Sequence, residues 1–161
     1  QDYTVLTAVN ERYEIIDIDR FHYKEEGLTS ESFKERIKDF YLKHDERLAA
    51  CYFEVNNNDL LFDEITDDDR MYKMVPFQTT SQSKPDIIRN LIKLFEDGII
   101  KIPDYDELVK ELYDFKSKRN PITGNLQFSN TEGKHDDMVM SLAICAYCAK
   151  EEQEGGVTYF L

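Results

Sequence analysis

The sequence lacks several features that would assign it to particular classes of protein. Its 161 residues include three cysteines, an odd number that does not make a disulfide framework and that fits a reducing, intracellular setting. No apolar run approaches the length of a membrane span, and no signal-peptide pattern opens the chain. Repeats, low-complexity tracts and Pro/Ser-rich linkers are also missing, so we predict one domain over residues 1–161.

Positive charge is also scarce. Lysine and arginine total 20 against 33 aspartates and glutamates, which gives a net charge of −13. This balance counts against a general basic coat for nucleic acid, although it allows an enzyme that holds metal ions with carboxylates and contacts a polyanion through a few local cations. At 41% hydrophobic and 12% aromatic residues, the chain is too apolar to be a disordered acidic segment.

The hydrophobic pattern indicates a layered α/β domain. Residues 3–9 and 13–19 are predicted to form an antiparallel hairpin, and the apolar run 48–53 predicts a strand covered on both faces. Helices are predicted at 30–44, 60–65, 85–97, 105–115 and 138–150, with a short strand at 71–77 and a hairpin arm at 126–128. Strands followed by alternating helices and strands favour a mixed sheet flanked by helices.

Acidic residues stand at two places where apolar elements begin or end. Glu54 follows the buried strand, and Asp136-Asp137 opens the apolar last helix. Strand ends and helix N-termini meet at the carboxyl edge of an α/β sheet, so these carboxylates together would suit Mg²⁺ or Mn²⁺. The alternatives are an ordinary surface residue for Glu54 and helix capping for the aspartate pair. Spacing alone does not decide between them.

The two acidic segments resemble motifs of one family. Residues 49–57, Ala-Ala-Cys-Tyr-Phe-Glu-Val-Asn-Asn, resemble the central acidic motif of the nuclease domain of phage large terminases. Residues 133–143, Gly-Lys-His-Asp-Asp-Met-Val-Met-Ser-Leu-Ala, resemble the C-terminal acidic motif of that family. The intervening elements keep the family's order, and Asp2-Tyr3-Thr4-Val5 resembles the start of its second strand.

This resemblance implies an RNase H-like fold and a metal-dependent endonuclease that cuts concatemeric double-stranded viral DNA during packaging. Glu54 would be the central metal ligand, with Asp137 and Asp136 as the pair on the last helix and their order of importance open. His135 would assist the site, contact a phosphate or cap the helix, and Asp2 is a further, weaker metal candidate. The family cofactor is Mg²⁺ or Mn²⁺, with the two-metal logic of in-line displacement.

The sequence departs from the family at its first strand. The family's first catalytic aspartate lies on a central strand just before the Asp-Tyr-Thr segment, whereas this sequence opens with Gln1-Asp2-Tyr3. We therefore expect that strand and its aspartate to be absent from the sequence given, with two alternatives: upstream residues were left out, or this piece is inactive as it stands. Asp2 is not expected to replace that aspartate.

The packaging motor itself is also outside this sequence. No G-x-x-x-x-G-K-[ST] loop is present, so the packaging ATPase would belong to an N-terminal domain of the same protein. The resemblance further implies a portal and a small terminase subunit as partners, no membrane, and a location in the cytoplasm of an infected or lysogenic bacterium, transiently at the procapsid portal.

Several other residues have simpler interpretations beside functional ones. Cys145 and Cys148 form a C-x-x-C inside an apolar helix and are predicted to be buried and structural. The run Asp67-Asp68-Asp69 lacks the pattern of a calcium loop and is predicted to be solvated. His22 and His44 are predicted to be structural or surface residues. Candidate DNA contacts are Lys84, Lys118 and Arg119, for each of which surface solvation is the alternative.

Two other functions remain open at this point. One is another RNase H-like nuclease of the Holliday-junction resolvase type, which cleavage of branched rather than linear DNA would distinguish. The other is a non-catalytic module that docks on the portal or a regulatory partner, whose sign would be the absence of metal binding even with the upstream strand restored.

Overall fold

The structure is a computed structural model that describes residues 3–56, 58–119, 121, 126–130, 135–150 and 157–160. Its helices are α1 (Ser30–His44), α2 (Asp59–Thr66), α3 (Ser83–Glu96), α4 (Asp106–Asp114) and α5 (Asp137–Ala149). Its strands are β1 (Thr4–Val9), β2 (Ile15–Phe21), β3 (Leu48–Glu54), β4 (Met74–Phe77), β5 (Phe115–Arg119), β6 (Leu126–Asn130) and β7 (Val157–Phe160). Among the helices described, none is long and apolar enough to cross a membrane.

Most predicted elements are confirmed; β2 starts two residues later than predicted, and α3 two residues earlier. Helix α1 begins at Ser30, as predicted, and is capped by Thr29: Thr29 and Ser32 exchange side-chain to backbone hydrogen bonds in a capping box. The strand predicted from residue 71 begins only at Met74, because Asp69–Met71 forms a turn of 3-10 helix in which Met71 is buried. The hairpin arm predicted at residues 126–128 is part of β6, which pairs with β5.

A five-stranded mixed sheet forms the centre of the molecule, with strand order β2-β1-β7-β3-β4. Strand β1 runs antiparallel to both β2 and β7, whereas β3 runs parallel to both β4 and β7. The β5–β6 hairpin is a separate two-stranded unit. This arrangement confirms the predicted mixed α/β sheet.

The central strand of the sheet is β7, which the sequence analysis did not predict. In the strand order β2-β1-β7-β3-β4, β7 lies between β1 and β3. Tyr159 lies opposite Ala8 of β1 and Cys51 of β3, and Thr158 lies opposite Val9 and Ala50. The central strand therefore comes from the far end of the chain.

Helices cover both faces of this sheet, because the strands alternate their side chains between two apolar cores. One core joins alternate residues of β1 and β3 to helices α3, α4 and α5, and it includes Val5, Val9, Ala50, Tyr52, Leu91, Leu108 and Leu142. The other joins the intervening strand residues to α1 and α2, and it includes Leu6, Ala8, Cys51, Phe53, Ile37, Tyr41 and Ile65. Helix α5 is buried along most of its length, as its continuous apolar composition predicted.

A buried polar contact joins α5 to the sheet. The hydroxyl oxygens of Thr7 and Ser141 lie 2.7 Å apart, and the Ser141 hydroxyl also donates to the Val5 carbonyl at 3.3 Å. Thr7 lies on the α5 side of β1 and is completely buried. Since a buried hydroxyl is costly without a partner, this contact restricts how α5 can lie on β1.

We expect Ser141→Ala to lower the free energy of unfolding by about 2 kcal/mol, because it removes the partner of the buried Thr7 hydroxyl. The double variant Ser141→Ala/Thr7→Val is expected to be more stable than this single variant, since both polar groups are then gone. Urea unfolding of the wild type and the variants measures both values. A double variant less stable than Ser141→Ala would contradict this role for the contact.

Candidate active site

One edge of the sheet brings the predicted acidic residues together. Strand β3 ends there with Glu54, and β7, which is parallel to β3, points the same way. Strand β1 is antiparallel to β7 and therefore begins at this edge, and α5 begins there with Asp137. The predicted meeting of a strand end and a helix N-terminus at the carboxyl edge is thus present in the fold.

Glu54 and Asp137 line one cleft of about 220 Å³ at this edge. Its walls come from the start of β1, the end of β3, and residues of α1, α2 and α5. Phe33, Ile37, Phe53 and Leu61 make one side apolar, while Asn58 and Ser141 add polar groups. The two acidic motifs therefore contribute one carboxylate each to a shared, partly apolar cleft.

The backbone of Tyr3 orients the Asp137 carboxylate. The Tyr3 N–H donates a hydrogen bond of 3.0 Å to Asp137 Oδ2, across 134 residues of sequence. The Asp137 side chain is 19% exposed, so it is partly desolvated but still open to the cleft. As the first residue of α5, it also lies at the positive end of the helix dipole.

Asp136 occupies a different position from its neighbour. It is the N-cap residue of α5, and its backbone carbonyl accepts the first helical hydrogen bond, from Met140 at 2.9 Å. Its side chain makes no capping hydrogen bond, and it is absent from the cleft lining that the described residues form. Of the aspartate pair, whose order was left open, Asp137 is the one that shares the cleft with Glu54.

Aromatic and basic side chains surround Tyr3 beside Asp137. The Arg20 guanidinium stacks over the Tyr3 ring, 3.4 Å from its centroid, and the rings of His22 and His135 contact Tyr3 edge to face. His135 is 41% exposed, and its Nδ1 is 3.6 Å from Asp137 Oδ2. His22 is buried, as the structural interpretation predicted, but it packs beside the site rather than away from it.

Glu111 is a buried carboxylate that the sequence analysis missed. It lies on α4 and is only 7% exposed, and its Oε2 accepts hydrogen bonds from the N–H groups of Met138 (2.8 Å) and Val139 (3.3 Å). Burial raises the pKa of Glu111, and the two N–H groups and Arg20 oppose that rise. A signal was present in the sequence, because Glu111 stands three residues after the buried Leu108 and so falls on the apolar face of α4.

The donor set determines what cation the cleft suits. Among the described residues, no group of three His, Cys, Asp or Glu side chains is close enough together to hold a metal ion. Glu54 and Asp137 supply two carboxylates, and Mg²⁺ is commonly bound by one or two carboxylates with water completing its shell. The residues present fit a hydrated, hard divalent cation. Asp2, the further metal candidate, lies outside the described residues.

The predicted DNA contacts are not assembled at the cleft. Lys84 is half-buried in the first turn of α3 and is not part of the cleft lining described. Lys118 and Arg119 lie on β5, and their side chains are outside the described part of the structure. These three contacts remain predictions.

The residues with a simpler interpretation lie away from the cleft lining that the structure describes. Cys145 and Cys148 are both buried within α5, as predicted. In the aspartate run, Asp67 and Asp69 are exposed, while Asp68 caps the 3-10 turn and pairs with Lys38 and Arg70. His44 bonds Asp17 at 2.8 Å, and burial lowers the pKa of His44 to about 4.

The known proteins that this chain matches were found by comparing its structure with solved structures. No protein-family model and no curated protein sequence matches the chain. The large terminase nuclease from the thermophilic phage G20c aligns with a TM-score of 0.76 and 27% identity, over 92% of this chain and 75% of that one. The large terminase nuclease domain of Thermus phage P74-26 aligns with a TM-score of 0.74 and 25% identity, over 97% and 77%. The G20c nuclease with bound magnesium aligns with a TM-score of 0.71 and 23% identity, over 91% and 75%.

The fold, with its mixed sheet and flanking helices, is RNase H-like. The structures it is similar to are large terminase nuclease domains of thermophilic phages. The resemblance that the two acidic motifs predicted is therefore confirmed, and it extends over nearly the whole chain.

Proposed function

We propose that this domain is a metal-dependent DNA endonuclease of the terminase type, which cuts concatemeric double-stranded viral DNA during packaging. The observation that carries the proposal is the shared cleft of Glu54 and Asp137, within a fold common to large terminase nuclease domains. Each acidic motif supplies one carboxylate to that cleft, although Asp137 lies 83 positions after Glu54 in the sequence.

In this proposal Glu54 and Asp137 are the residues that hold the divalent cation, Mg²⁺ or Mn²⁺. When bound, such a cation stabilises developing charge on a phosphate and lowers the pKa of a water molecule. The Tyr3 N–H holds Asp137 in place, so that this carboxylate needs little reorganisation to act as a ligand. His135 lies beside Asp137 with a partly exposed side chain, and we propose that it contacts a DNA phosphate.

In this proposal, DNA is brought to the cleft by other parts of the packaging assembly. A domain with a net charge of −13 repels DNA, so we expect weak affinity at physiological salt when it is isolated. We propose that an N-terminal ATPase domain, a portal and a small terminase subunit deliver DNA to the cleft, in the cytoplasm of an infected bacterium. Tight binding of linear duplex by the isolated domain at physiological salt would contradict this part.

Plasmid nicking and Mn²⁺ binding test the proposal together. Supercoiled plasmid is incubated with the domain and Mg²⁺ or Mn²⁺, with and without EDTA, and Mn²⁺ affinity is measured by electron paramagnetic resonance. We expect nicking that EDTA abolishes and that the double variant Glu54→Gln/Asp137→Asn lacks, along with its Mn²⁺ binding. Glu46→Gln is the matched control, because Glu46 is exposed just before the opposite end of β3.

Each result bears on a different part of the proposal. Nicking that persists in the double variant would show that the active site does not depend on Glu54 and Asp137. A folded domain that does not bind Mn²⁺, even when it is extended by the family's first strand and its aspartate, would favour a docking module instead. Preferential cleavage of four-way junctions over linear duplex would favour the resolvase-type alternative.

A further inference from the structure

Helix α5 is capped by a residue from another helix. The first N–H groups of a helix have no partner within it, and a side chain at the N-cap position normally accepts from them. Asp136, at that position, makes no such bond. Glu111 of α4 accepts from Met138 and Val139, the second and third residues of α5, and so takes over the capping role.

Glu111 connects to Asp137 along two routes. Met138, whose N–H it accepts, directly follows Asp137 in the chain. On the other side, Glu111 Oε1 lies 3.9 Å from Arg20 Nε, and the Arg20 guanidinium covers the ring of Tyr3, whose N–H holds Asp137. Both the backbone and the hydrogen-bond donor of Asp137 therefore adjoin groups that Glu111 contacts.

A glutamate at position 111 is not the residue that stability alone would favour. Its Oε1 is buried and has no hydrogen-bond partner among the described residues, and the same holds for Arg20 Nε. Leaving polar atoms of a buried ion pair without hydrogen bonds costs more than an apolar side chain of similar size at the same place. A carboxylate here is better explained by what it holds in place than by what it adds to folding.

We propose that Glu111 is a positioning residue for Asp137: it caps α5 from outside and faces the Arg20 side chain that covers Tyr3, which fixes the direction of the Asp137 carboxylate. This inference rests on the proposed function, in which Asp137 holds the divalent cation. Glu111 itself does not contact the cation in this arrangement. It orients a residue that holds the cation, and loss of such orienting groups typically weakens metal affinity by about 10–100-fold.

The test is Mn²⁺ binding by the full chain, measured by electron paramagnetic resonance at a temperature where every variant is folded. We expect Glu111→Ala to weaken Mn²⁺ binding by about tenfold or more, whereas Glu111→Gln stays within about threefold because its amide oxygen still accepts from Met138 and Val139. Leu112→Ala is the control: it removes apolar packing from the neighbouring residue of α4 and is expected to lower the melting temperature without changing Mn²⁺ affinity.

A second measurement tests directly whether Glu111 caps α5. Amide hydrogen exchange of Met138 and Val139 is expected to be faster in Glu111→Ala than in Leu112→Ala, because only the former removes their acceptor. If Glu111→Ala does not fold, Glu111→Asp replaces it. The shorter side chain withdraws the carboxylate from the two N–H groups, and we expect at least threefold weaker Mn²⁺ binding.

The outcomes separate this inference from the proposed function. Unchanged Mn²⁺ affinity in Glu111→Ala, alongside weakened binding in Asp137→Asn, would overturn the positioning role and leave the metal site standing. No Mn²⁺ binding by the wild type, or full binding by Asp137→Asn, would overturn the metal site and the positioning role with it. Equal weakening by Glu111→Ala and Leu112→Ala would reduce Glu111 to a general stabilising residue.

Discussion

Replacing Asp137 with asparagine is expected to reduce metal-dependent plasmid nicking by about a thousandfold, while the same change at Asp136 alters it by less than about threefold. Asp137 shares the cleft with Glu54, and charge stabilisation by a held cation is worth several kcal/mol, or about a tenfold change in rate for each 1.36 kcal/mol. Asparagine keeps an oxygen that can accept from the Tyr3 N–H, so the fold is retained. Initial nicking rates at saturating Mg²⁺ measure the effect.

The two aspartates serve as controls for each other. They are adjacent in sequence and carry the same charge, so a change in overall electrostatics would affect both variants alike. Asn is also a good N-cap residue, which makes Asp136→Asn mild for the helix. A large loss in the Asp136 variant with little loss at Asp137 would reverse the assignment of the ligand.

The second large effect concerns β7. Removing residues 157–161 is expected to abolish cooperative thermal unfolding and to produce aggregates. Strand β7 pairs with β1 on one side and β3 on the other, so its loss opens the middle of the sheet. At about 1 kcal/mol net for each backbone hydrogen bond, the loss is on the order of 5 kcal/mol. That approaches the whole stability of a typical domain, which is about 5–15 kcal/mol.

Circular dichroism and size-exclusion chromatography measure this effect, and two variants control for it. Removing residue 161 alone leaves every described pair of β7 intact and is expected to be mild. Thr158→Pro keeps the chain length but takes one N–H out of the central strand, and it is expected to be severe, since proline is confined to sheet edges. A shortened chain that melts cooperatively at the wild-type temperature would show that the sheet does not need β7.

The parts of the fold that were predicted from sequence are those with strong local patterns. The hairpin of β1 and β2, the buried strand β3 and the apolar helix α5 each carry a periodicity that few alternatives share. Strand β7 does not: its four residues are too few to show a period, and its place depends on pairing with β1 and β3, more than 100 residues away. Such long-range pairing leaves no local signature in a sequence.

In the candidate site, too, some residues could be predicted from the sequence and others could not. The acidic motifs identified Glu54 and the aspartate pair, but neighbouring residues at a helix start differ by about 100° in direction, and only the packing of α5 places Asp137 on the cleft. The roles of Tyr3 and Glu111 were missed because a backbone N–H has no side-chain signature, and a glutamate on an amphipathic helix normally faces solvent.

The position of β7 has a practical consequence for how this domain is handled. Tyr3 is bonded to Asp137 in the cleft, and β7 runs parallel to β3, so β7 ends at the same side of the sheet as Glu54. A fluorescent label attached at the end of β7 would therefore lie near Glu54 and Asp137 and obstruct an incoming duplex. A label attached near Glu46, before the opposite end of β3, would leave the entrance clear.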